Sequence, residues 1–177
     1  MNAGSRKIGA VVLGVILVCI LCYAALVFDN DIGVQSSGLE ADIRSSQGIK
    51  EDWLLTGTAS DEMAAYISYP EDRSDHTFSF YVNRPGLSFG YFFRSGGSLS
   101  EVGEYIAEFT MEGYHERAFI SMNRQNAARL EVDDGTSVQV TELDSDQPFA
   151  IILPVNAGTV TFFDVQGNEV DYYRHPV

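Results

Sequence analysis

The sequence predicts an all-β fold, an antiparallel β-sandwich with one short helix, preceded by a single N-terminal transmembrane helix. Three observations carry this. Apolar and polar residues alternate with period two from Trp53 onward. Turn-forming residues interrupt that alternation at short intervals. A 21-residue apolar run, Ile8 to Phe28, stands in front of it.

That run reads "IGAVVLGVILVCILCYAALVF" and holds no charge. As a helix it would rise about 31 Å at ~1.5 Å per residue, close to the hydrocarbon thickness of a bilayer. Arg6 and Lys7 precede it, and Asp29 and Asp31 follow. The positive-inside rule then makes residues 1–7 a short cytoplasmic tail and 8–28 the anchor of a single-pass cell-membrane protein, with the rest extracytoplasmic. A cleaved signal peptide is the rival reading. Its apolar core is normally ~7–15 residues, with a small-x-small site behind it. Here the nearest match to such a site, Cys22-Tyr23-Ala24, lies inside the run. A lipoprotein signal fits no better, because Val18 and Leu21 precede Cys19 and Cys22 where a small residue is needed. The chain has no other cysteine, which excludes a disulfide framework or a Cys-based metal site outside the run.

Residues 29–51 are rich in Ser, Gly and charge and lack sustained periodicity. They read as a flexible linker, with brief helix around Leu39 to Ile43. A coil of that length reaches about 26 Å on average. Residues 52–177 form the extracytoplasmic domain. Within it, alternation marks strands at Met63–Ser68, Phe78–Asn83, Ala118–Asn123 and Val138–Thr141. "FAIILPV" (149–155) is apolar throughout, which suits a strand covered on both faces, and "TVTFF" (159–163) follows it. Pro85-Gly86, Asp133-Asp134-Gly135, Asn156-Ala157-Gly158 and Gly167-Asn168 supply the turns. Such spacing suits an immunoglobulin-like or related sandwich of two layers. Ser98-Leu99-Ser100-Glu101 has capping-box spacing, predicting a short helix near 98–104 that runs into a strand.

The segment "YVNRPGLSFGYFFRSGG" (81–97) raises the question of a binding surface. A hairpin with Pro85-Gly86 at its tip sets Phe80 opposite Tyr91 and Phe78 opposite Phe93. Facing residues share a side of the sheet. Phe78, Phe80, Val82, Leu87, Phe89, Tyr91 and Phe93 are then core, and Tyr81, Asn83, Phe92 and Arg94 share the reverse face. Those four are the candidate binding residues, an aromatic-plus-arginine surface for a protein or glycan. The plainer alternative is that the linker or Trp53 packs over them.

Beyond the apolar run the chain carries 25 acidic against 9 basic residues, a balance of −16. That surface repels phosphate backbones, so nucleic acid is not an expected partner. For metal, a Gly167-Asn168 hairpin would bring Asp164 opposite Asp171, and Asp164, Asn168 and Asp171 could offer oxygens to Ca²⁺. Asp133, Asp134, Asp144 and Asp146 make a second acidic group. No other cofactor is expected. His76, His115 and His175 fall in no G-x-S-x-G or H-E-x-x-H context, so an enzyme is not the favoured reading. "LPVNAG" (153–158) lacks what a sorting signal needs, and "SGGSLS" (95–100) has no Lys to cradle phosphate. The favoured function is a membrane-anchored, non-catalytic binding module. One alternative is an accessory subunit of a membrane complex acting through its anchor, along a stripe such as Leu13, Leu17 and Leu21. The other is a small extracytoplasmic hydrolase.

Overall fold

The computed structural model describes residues 3–28, 32–84 and 89–177, with side chains in the first helix at residues 8, 9 and 11–26. In chain order the elements are α1 (Ala3–Phe28), a 3-10 turn (Ser36–Gly38), α2 (Leu39–Ser46), β1 (Leu54–Ala59), β2 (Met63–Tyr69), β3 (Thr77–Asn83), β4 (Tyr91–Gly97), α3 (Ser100–Glu104), β5 (Ile106–Thr110), β6 (Glu116–Ser121), β7 (Ala127–Asp133), β8 (Val138–Glu142), β9 (Phe149–Pro154), β10 (Thr159–Asp164), β11 (Glu169–Val170) and β12 (Tyr172–Pro176). Among the described residues the strands build three four-stranded sheets, ordered β1-β2-β3-β4, β12-β5-β6-β9 and β11-β10-β7-β8. Strand pairing is antiparallel except for β12 beside β5.

Two apolar clusters show how the sheets stack. Met63, Ala65 and Ile67 of β2 and Phe78, Phe80 and Val82 of β3 pack against Ala107, Phe109, Ala118 and Ile120 of β5 and β6. Their strand neighbours Ile106 and Phe119 point the other way, onto Leu130, Val132, Val160 and Phe162 of β7 and β10. The second sheet is therefore buried on both faces. This explains why β9 is apolar at every position: Ala150 and Ile152 serve one cluster, and Ile151 and Leu153 the other. The chain is mostly β with antiparallel-rich sheets, consistent with the expected β-sandwich, and the number of layers differs. Three sheets are stacked where an immunoglobulin-like sandwich has two.

The flexible linker predicted over residues 29–51 is also corrected. Asp29–Asp31 lie outside the described residues, as do Met1 and Asn2 of the predicted tail, but residues 32–50 form a strap across the outer face of the first sheet. Gly33 donates its N–H to the Phe89 carbonyl (2.6 Å), and Val34 and Tyr91 exchange main-chain hydrogen bonds of 2.8 and 2.7 Å. Adding a Cβ to Gly33 would bring it to 2.6 Å from the Tyr91 carbonyl oxygen, so glycine is required where the chains cross. Leu39 and Ile43, one turn apart in α2, are fully buried on Ala64, Tyr81 and Tyr91. Arg44 pairs with Glu40 (3.0 Å) and donates to the carbonyls of Lys50 and Trp53, which closes the strap.

α1 extends over 26 residues, and its described large apolar side chains from Ile8 to Tyr23 are 50–70% exposed. No helix among the residues whose side chains are described is long and apolar enough to cross a membrane. Their unbroken run in α1, residues 11–26, would rise about 24 Å against a hydrocarbon core of about 30 Å. The short helix expected before a strand is α3, although Leu99, not Ser98, occupies its N-cap without a side-chain bond.

Candidate functional site

The four predicted binding residues do not assemble into one exposed face. Tyr81 is fully buried under the strap, edge-on to Phe93, and its hydroxyl donates to Asp42 (2.7 Å). Burial, then the Asp42 hydrogen bond, push its phenol well above the ordinary range. Phe92 lies across from Val82, on the side facing the second sheet, half-buried, with the Arg84 guanidinium 4.0 Å over its ring. Asn83 donates to the Asp61 carbonyl (3.0 Å), and Arg94 is half-buried.

The cause is register. Phe80 pairs with Ser95 rather than Tyr91, Asn83 pairs with Tyr91, and a bulge separates Phe80 from Tyr81. An odd slip transfers side chains to the opposite face. Tyr91 consequently joins Tyr81 beneath the strap, whereas Phe93 and Phe89, both predicted core, are 43% and 53% exposed. Pro85, Gly86, Leu87 and Ser88, the predicted hairpin tip, lie outside the described residues.

The predicted calcium ligands are spent differently. Asp164 Oδ1 accepts the N–H groups of Gln166 (2.8 Å) and Asn168 (2.9 Å), and its Oδ2 accepts Asn168 Nδ2 (2.9 Å). These bonds, led by the Asn168 side chain, hold the Asp164 carboxyl below its usual range. Phe163 pairs with Glu169, so the turn is longer than two residues and Asp171 does not face Asp164. Asp164, Glu169 and Asp171 do line one shallow depression of about 270 Å³. Even so, no three His, Cys, Asp or Glu side chains among the described residues are placed to hold a metal ion.

Asp134, from the second acidic group, is the capping residue of the β7–β8 turn. The Thr136 hydroxyl and the N–H groups of Thr136 and Ser137 donate to it, lowering its pKa from 3.8 to about 2. A depressed folded pKa gives stability that is present above pH 3.8 and lost as pH falls toward 2. D134A should therefore melt below wild type at pH 6, with the gap closing by pH 2. Thermal melts across that range would show it, and a pH-independent gap would contradict it.

His76 and His115 lie in the loops before β3 and β6, and His175 lies in β12. His115 holds Glu62 through its N–H (2.6 Å) and Nδ1 (2.9 Å), which lowers the Glu62 pKa. Beside them Ser60 donates to Glu116 and receives the Met63 N–H (3.1 Å), capping the β1–β2 turn. His76 contacts Leu99, and His175 stacks on Phe109.

Two surface features fall outside the sequence expectations. One is a depression of about 540 Å³ lined by Trp53, Pro70, Ser74, Lys50 and four carboxylates, Asp52, Glu71, Asp72 and Asp75. The other is β8, the edge of the third sheet. All five of its residues are exposed, including Val138 (52%) and Val140 (53%). Asp134 donates to Ser137 and Leu143 to Ala128 at the two ends of the β7–β8 ladder. Antiparallel alternation between those ends turns the main-chain groups of Gln139 and Thr141 toward β7. Those of Val138, Val140 and Glu142 face outward. Glu131, Asp133, Asp134, Glu142, Asp144 and Asp146 surround the strand in sequence and across the ladder. The alternation of β8 was legible in sequence, but its place at an open edge was not.

No protein-family model, curated protein or solved structure matches the chain.

Proposed function

We propose that the chain is a single-pass membrane protein, anchored by α1 with its N-terminus cytoplasmic, whose extracytoplasmic β domain is a non-catalytic module for binding a protein partner. The anchor reading is supported by the charge-free run Ile8 to Phe28, with Arg6 and Lys7 before it and two aspartates after it. The whole helix would rise about 39 Å, enough to span with some tilt.

The open edge of β8 carries the binding reading. It offers main-chain groups with no partner among the described residues, two exposed valines and an acidic setting. An extended partner segment rich in Lys or Arg would add to the sheet there, with its main chain supplying affinity and its charges supplying specificity. The β8 edge belongs to the third sheet, the layer most remote from the strap, and so from the side on which α1 joins the domain.

A synthetic heptapeptide alternating Val and Lys is the probe. It should bind the full chain in detergent, more weakly as salt rises. V140P removes one outward N–H and no β7–β8 bond, and edge strands tolerate proline. It should weaken binding about tenfold, the ~1.4 kcal/mol of one main-chain hydrogen bond. No binding, or equal binding to V140P, would sink the edge reading.

A second reading places a glycan or amino-bearing ligand in the Trp53 depression, where an aromatic face stands among four carboxylates. W53A would abolish that binding and leave the heptapeptide unaffected.

A further inference from the structure

Ile32 and Phe89 form an isolated bridge, yet their side chains are 37% and 53% exposed. Phe93, on the strap side of β4 beside Tyr81, is 43% exposed. Three large apolar side chains thus meet solvent at the margin of a strap that fully buries Leu39, Ile43 and Tyr81. Scattered exposed apolar residues need no explanation. This group differs because of where the chain has just been.

Ile32 is the fourth residue after Phe28, the last residue of α1. Four residues of fully extended chain cover about 14 Å. Each interfacial layer of a bilayer adds about 5–8 Å to the hydrocarbon core. With α1 in the membrane and Phe28 at the hydrocarbon boundary, a premise taken from the reading above, Ile32 stands within about 14 Å of that boundary, and Phe89 stands beside it. The strap cannot carry them away, because hydrogen bonds at Gly33 and Val34 and the buried pair in α2 fix it to the sheet.

We infer that Ile32, Phe89 and Phe93 form a membrane-facing patch that enters the headgroup region of the bilayer holding α1 and sets the orientation of the domain on it. Apolar side chains at this level gain by leaving water. The balance of −16 beyond the apolar run gives no attraction to anionic lipid, so the matching surface is zwitterionic.

The test uses the full chain in phosphatidylcholine vesicles, with W53F removing the native indole. F89W or F93W then reports contact, and V138W on β8 reports the remote side. Brominated acyl chains should quench the indoles at 89 and 93 several-fold more than the one at 138, with blue-shifted emission at the first two. A chain that floats with the vesicles while positions 89 and 93 emit like water overturns the patch alone, as does equal quenching at 138. A chain that does not float overturns the anchor reading and the patch with it.

Discussion

Replacing Leu39 and Ile43 with alanine should cost about 2–5 kcal/mol each, measured by urea unfolding with tyrosine fluorescence. Both side chains are fully buried, and each truncation opens a cavity against Ala64, Tyr81 and Tyr91. The loss is capped where the strap lets go altogether, since from then on further truncation removes no contact. R44A, which breaks the exposed Glu40 pair, should cost about 1 kcal/mol or less from that pair. The same truncations in a free tether would change stability by less than about 0.5 kcal/mol. That outcome would return residues 32–50 to the flexible linker predicted from composition. A domain trimmed at residue 50 should also show the buried Tyr81 face to solvent and associate through it.

The second large effect concerns Glu108. Its carboxylate lies between the second and third sheets, 2% exposed, and accepts Arg117 Nη1 (3.0 Å) at one oxygen and Arg174 Nε (2.9 Å) at the other. The arginines differ in what they risk. Arg117 is 7% exposed, gives its remaining terminal nitrogen to the Gly158 carbonyl (3.1 Å), and has no acceptor for Nε among the described residues. The Arg174 side chain is 73% exposed and can turn to water. E108L should therefore cost about 3–5 kcal/mol, because it strands the Arg117 charge in an apolar wall. R174A should cost about 1 kcal/mol or less. The double variant E108L/R117M should recover most of the loss, since an uncharged pair leaves nothing unpaired. Thermal and urea melts of the three variants measure this. Equal losses for E108L and R174A would mean that water reaches the pair.

Local signals made much of the fold legible. Alternation marked β2, β3, β6 and β8, and Asp133-Asp134-Gly135 and Asn156-Ala157-Gly158 bounded their neighbours. The unbroken apolar character of β9 correctly signalled two covered faces. Long-range facts stayed hidden. β12 pairs in parallel with β5, and nothing in "YYRHP" announces a partner so far back. β7 carries Arg129 and Glu131 as an outward ion pair, which masks the inward Leu130 and Val132. α2 buries only Leu39 and Ile43, too few apolar residues in a Ser- and Gly-rich stretch to display a face.

The predicted site failed for the same reason. Placing Tyr81 and Phe92 on one exposed face assumed that the hairpin tip alone sets register. The strap bonds to the backbone of Phe89 and Tyr91 and thereby takes part in setting where β4 begins. Asp164 looked like a ligand because a turn-capping aspartate and a calcium-binding aspartate have the same local sequence; only the N–H groups aimed at its oxygens separate them.

The doubly covered middle sheet also constrains how the chain acquires its shape. That layer draws on four stretches of sequence, and Arg174 meets Glu108 across a separation of 66 residues. β1 to β4 can zip up as successive hairpins at small entropic cost, but their inner face then waits for β5, β6 and, last of the three, β9. On a polypeptide emerging N-terminus first, Met63, Ile67 and Phe80 would spend that interval uncovered. The docking of β9 would end that exposure, and a holding chaperone would matter most before it.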